Sequence, residues 1–206
     1  MAHKLMLTTM RVLKSSSAQR IDFHLGWINV DVVGLNAIHD HISNKEVTVG
    51  LLEKNTDDLP LYLDVENTIG FPRLDYGANP FESAAILHEC IHAMHDYYGG
   101  GTYFHPRGGS RFTTKSENEA AAYVASSLYY LYETKKPVSA VSNSPIATIS
   151  SRIAQRIKDR PGAFVTEAEA LDLRNAVAKA YGYGLWTVTD ADGPPPDRKF
   201  NYRMPD

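Results

Sequence analysis

Cysteine is almost missing from this chain of 206 residues. The one thiol, Cys90, cannot close an internal disulfide. It also disfavours a structural zinc site, which ordinarily takes four protein ligands and favours thiolates. A surplus of one charge is missing as well. A net charge of −3 offers no basic surface for nucleic acid or anionic lipid, so neither a nucleic-acid nor a membrane partner is expected. No apolar run approaches the length of a membrane span. The first fourteen residues break their apolar positions with Lys4, Arg11 and Lys14, which leaves no signal-peptide core. A cytoplasmic protein is the expectation, with a leaderless secreted or delivered effector as the alternative. Repeats and low-complexity blocks are absent too.

What is present is an ordinary globular composition, 43% hydrophobic and 22% charged, in a chain long enough for a proper core. One domain is expected over residues 1–189, with a core at about 45–135 and a helical C-terminal part at 145–184. Residues 190–206, with Pro194, Pro195 and Pro196, read as an extended tail.

The most informative segment is His88-Glu89-Cys90-Ile91-His92, an H-E-x-x-H sequence inside an apolar helical run. Two histidines four apart on a helix stand one above the other, because a turn takes about 3.6 residues. Their imidazoles can share one metal ion, while Glu89 lies slightly around the helix and can reach a metal-activated water. Apolar flanks predict a buried helix, and buried His and Glu need partners. Asn79 is the expected N-cap, Pro80 the first helical residue, and Glu82 stands where a capping-box carboxylate would. Glycines 99–101 end the helix.

A catalytic zinc usually takes three protein ligands. His95 shares the face but lies about 10 Å along the axis from His88, too far to join one ion, so a supporting or core role is expected for it. The metzincin spacing, with a glycine at position 95 and a histidine at position 98, is not met. The next carboxylates are Glu117 and Glu119, at the start of a second apolar helix running to about Tyr132. They point about 160° apart, so one faces the metal. Two capping boxes compete, Thr114 with Glu117 and Ser116 with Glu119. If Thr114 caps, Glu119 is free to turn inward, and the alanines after it allow close helix approach. Facing and packing therefore favour Glu119.

A H-E-x-x-H helix followed by a helix reading Glu119-Ala120-Ala121-Ala122-Tyr123-Val124 resembles the gluzincin metallopeptidases, in particular the compact ImmA/IrrE-like group. The resemblance covers roughly residues 45 to 135. It implies an α+β zincin-like fold, mostly helical, with a small sheet beside the active-site helix. It implies a Zn²⁺ cofactor held by His88, His92 and Glu119, Glu89 as general base, and a peptide or protein substrate.

Elsewhere, Trp27 to Ile42 reads as a scaffold helix with Ile28, Val32, Leu35 and Ile38 on one side. Val47, Val49 and Leu51 alternate as in a strand, as do Leu61, Leu63 and Val65, with a turn at 55–58. The two could pair as a hairpin. By the resemblance, 61–65 could offer a free edge to an extended substrate; a fully paired strand is the alternative. Residues 66–79 read as a connector. The glycine-flanked loop 99–114 carries Tyr103 and His105, which could donate to an oxyanion or merely connect. Pro145 to Lys158 reads as a helix, and Thr166 with Glu169 opens another to about Tyr181. The functional expectation is a zinc metallopeptidase. Its alternatives are a non-catalytic metal-binding regulatory or interaction module, and a hydrolase of non-peptide amides.

Overall fold

The computed structural model describes residues 2–26, 28–52, 58–99, 102–104, 110–112 and 114–182. It opens on α1 (Ala2–Leu13). Leu5, Thr9, Val12 and Leu13 share one face of it and are buried, so tertiary packing supports what local signals leave open. Strands β1 (Phe23–Leu25) and β2 (Ile28–Val30) follow as an antiparallel pair. Ile28 therefore lies in a strand, not in the helix expected from 27. The helix, α2 (Val32–Ser43), starts later because Asp31 caps it, its carboxylate accepting from the Gly34 amide at 2.8 Å.

The next sheet departs from expectation. β3 (Thr48–Leu51) and β4 (Leu61–Leu63) do not pair with each other. Between them runs β5 (Thr68–Phe71), inside the segment read as a connector. It is parallel to β3 and antiparallel to β4, with Ile69 and Phe71 fully buried. Residues 53–57, most of the expected turn, lie outside the described residues. β4 is left at one edge of this sheet, against the next helix.

That helix, α3 (Pro80–Gly99), carries the motif. Asn79 caps it by accepting from the Glu82 amide at 3.0 Å. The Glu82 carboxylate does not close a capping box; it accepts from the Gly77 and Ala78 amides at 2.7 and 2.9 Å. Gly77 is required at this turn. Its φ is +91°, and a Cβ there would meet Ile86 Cδ1 at 2.8 Å. After α3, β6 (Thr102–Phe104) and β7 (Ser110–Phe112) form a hairpin where a loop was expected. His105 lies outside the described residues.

Helix α4 (Lys115–Thr134) packs on α3 more extensively than any other pair of elements, and its buried Ala120, Ala121, Ala122 and Ala125 permit that approach. Beyond it lie α5 (Pro145–Ile157), β8 (Ala163–Val165) and α6 (Glu167–Tyr181). β8 joins β1 in parallel, giving a sheet ordered β2-β1-β8. The Thr166–Glu169 capping box opens α6 as its sequence predicts, and Gly182 ends it. The class is α+β: six helices and small mixed sheets among the described residues. No helix among them is long and apolar enough to cross a membrane. The 190–206 tail lies outside the described residues.

Candidate metal centre

One turn of α3 separates His88 from His92, and their rings meet edge to face with centroids 4.8 Å apart. α4 decides which carboxylate meets them. Thr114 is its N-cap, with a reciprocal capping box to Glu117. The other oxygen of Glu117 accepts from Arg174 of α6 at 2.9 Å, so Glu117 is committed to the far side of α4. Glu119 turns toward α3. Its Oε2 is 3.2 Å from His88 Nε2 and its Oε1 is 3.6 Å from His92 Nε2. One ligand atom from each of His88, His92 and Glu119 lies within 4.8 Å of the others, a spread that a single ion can span.

The donor set fits zinc in a second respect. Asn118 Oδ1 accepts from His92 Nδ1 at 3.0 Å. That bond holds the Nδ1 proton and turns the Nε2 lone pair toward Glu119, as ligating histidines require. The same Asn118 oxygen meets Nδ1 of His95, which is fully buried one turn deeper. Burial lowers the His95 pKa to about 3, so its ring stays neutral. His95 thus stands outside the cluster and braces it through Asn118. Sequence reading named His95 and missed Asn118, although it sits between the two glutamates that were weighed. Cys90 faces the core, away from both histidines.

Glu89 is 7% exposed, and its Oε2 accepts from the backbone amide of Tyr62 on β4 at 2.7 Å. Burial raises its pKa against the pull of His88 and His92. Burial likewise favours neutral Glu119, but the two histidines overcome it and hold the carboxyl well below its ordinary range. Burial also opposes a charge on His92, yet Glu119 prevails and the ring is pushed up to about 9.

A consequence follows for metal uptake. Metal needs the lone pair that the His92 proton occupies, and that proton is held below about pH 9. Uptake of a divalent ion near pH 7 should release about one proton, and apparent affinity should rise about tenfold per pH unit until His92 deprotonates. Calorimetry in buffers of different ionisation enthalpy counts the protons; a count near zero would contradict a protonated His92 at pH 7.

The cluster opens into a cleft of about 770 Å³. β4 supplies Leu61 and Tyr62 to one wall, α3 supplies Ala84 and Ala85, and α5 supplies Ala147. Two phenols stand over the cluster. Tyr123 lies edge-on to His88 with centroids 4.6 Å apart, and its hydroxyl meets that of Tyr181 at 2.7 Å. Burial and then the Glu119 charge raise the Tyr181 pKa, which keeps its hydroxyl a proton donor. Nothing local in the sequence marks Tyr181, which arrives from the end of α6.

Compared with known proteins, the chain matches no family model, no curated protein and no solved structure.

Proposed function

We propose that this protein is a zinc-dependent metallopeptidase of zincin-like, gluzincin type, with His88, His92 and Glu119 holding the ion and Glu89 as general base. The observation that carries the reading is the convergence of these four side chains from α3 and α4 at one open cleft. Zinc bound there would lower the pKa of a water to about 7 and polarise a substrate carbonyl.

The chain's own residues account for the rest. Glu89 presents one carboxylate oxygen to the cleft while the other is tied to the Tyr62 amide. It can take a proton from the attacking water and return it to the leaving amine. A pKa raised by burial brings a carboxylate closer to neutrality, where a base both accepts and releases a proton readily. The Tyr123–Tyr181 pair has two phenol protons, one of them used between the hydroxyls, so it offers at most one donor for negative charge developing on the carbonyl oxygen. β4, an edge strand on the cleft wall, suits an extended peptide. The Tyr62 amide, however, is spent on Glu89, so strand addition there would use the other backbone groups.

Digestion of a broad peptide library, read by mass spectrometry alongside elemental analysis, tests the reading. One zinc per chain is expected, with cleavage that a chelator abolishes and added zinc restores. Bound metal with no cleavage of any peptide would instead favour a regulatory metal-binding module.

A further inference from the structure

The base of this site is held by an edge strand, and one side chain of that strand carries it to α3 at a second point. β4 is three residues long and, among the described residues, has a single strand partner, β5. Leu61 is half exposed and adds little packing to keep the strand against α3. Tyr62 makes the attachment at two points. Its backbone amide donates to Glu89 Oε2 at 2.7 Å, and its hydroxyl lies 2.6 Å from Asp96 Oδ2. Glu89 and Asp96 are seven residues apart, so they share one face of α3, two turns or about 10 Å apart. One tyrosine therefore spans two turns of the helix that carries the metal ligands.

The hydroxyl also lies 2.8 Å from Asn67 Oδ1. A phenol has one proton to give, and the nearer, charged acceptor takes it. Asn67 in turn donates its amide to the Glu46 carbonyl at 2.6 Å, which ties the loop before β5 to the turn between α2 and β3. The pull of Asp96 on the ring sets the height of β4 along α3, and so sets where the Tyr62 amide stands.

We infer that Asp96 is a positioning residue for Glu89: through the Tyr62 hydroxyl it fixes β4, so that the Tyr62 amide pins one oxygen of Glu89 and aims the other into the cleft. This rests on the reading of Glu89 as the base, and it adds a residue outside the motif. Aim matters because a base displaced by about 1 Å can cost about a hundredfold in rate.

The test combines amide hydrogen exchange with kinetics on the zinc-loaded full chain. Asp96→Ala and Tyr62→Phe should each speed exchange of the Tyr62 amide at least about tenfold, because its acceptor drifts away. The Leu61 and Leu63 amides, which alternation turns toward β5, should stay protected, separating a lost clamp from a frayed strand. In the same variants kcat should fall about tenfold, with KM and zinc content within about twofold of the parent. Asp96→Asn keeps an acceptor oxygen and should restore both exchange protection and kcat. Unchanged Tyr62 exchange in Asp96→Ala, or an Asn variant as impaired as the Ala variant, would overturn the inference. If the parent cleaves no peptide, the peptidase reading fails, while the exchange measurement still decides whether Asp96 holds the amide against Glu89.

Discussion

Glu89→Gln is expected to keep bound zinc and to lose about a thousandfold in kcat, within the range that a positioned general base contributes. The substitution is nearly isosteric. The glutamine carbonyl can accept from the Tyr62 amide as the carboxylate does, so neither β4 nor the imidazoles need shift. What disappears is the capacity to take a proton. Stability should not fall. Burial raises the pKa of Glu89 above its unfolded value, so the ionised side chain penalises the folded state at neutral pH, and a neutral amide removes that penalty. Steady-state kinetics, elemental analysis and thermal melting together decide the matter. Retained zinc with activity within about tenfold of the parent would remove Glu89 from the role of base.

Glu119→Ala and Glu117→Ala should separate completely, although the two residues are neighbours in one helical turn. Glu119→Ala removes a ligand atom from the His88–His92 cluster, and zinc affinity should fall at least about a hundredfold. Glu117→Ala should leave the metal site occupied and destabilise the fold. It strips the α4 capping box and removes the Glu117 carboxylate from Arg174, in a pair whose side chains are only 11% and 5% exposed. Breaking such a buried pair costs roughly 3–5 kcal/mol. Chemical denaturation reads the second effect and metal titration the first. If Glu117→Ala does not fold, Glu117→Gln keeps an acceptor for the cap and allows the titration. A Glu117 variant that loses zinc while Glu119→Ala retains it would reverse the assignment.

The contrast between these glutamates shows how far the sequence could be read. Their opposite facing follows from 100° per residue, and the three-residue spacing offered two capping boxes, of which the structure forms the Thr114 one. Both are properties of a few adjacent residues. The same holds for the Asn79 cap and for the stacking of His88 over His92. The sheet was less accessible. Val47 to Leu51 and Leu61 to Val65 alternate well, but alternation does not name a partner. Thr68–Phe71 was hidden among Gly70, Pro72 and Gly77 and proved to be the strand between them. At the start of α2, apolar periodicity ran through Ile28, and only the Asp31 cap delays the helix to Val32, five residues after the expected start at Trp27.

From its own order the chain determined one helix presenting two imidazoles and a carboxylate, a second helix presenting a glutamate on its inner face, and the caps that begin each. These depend on bond geometry and near neighbours, which travel with the sequence. Tertiary structure alone decided that β4 lies along α3 with its Tyr62 amide on Glu89, that Asn118 serves both His92 and His95, and that Tyr181 reaches the cleft from α6. Backbone amides look alike in every sequence, and contacts between residues tens of positions apart form only once the core has packed.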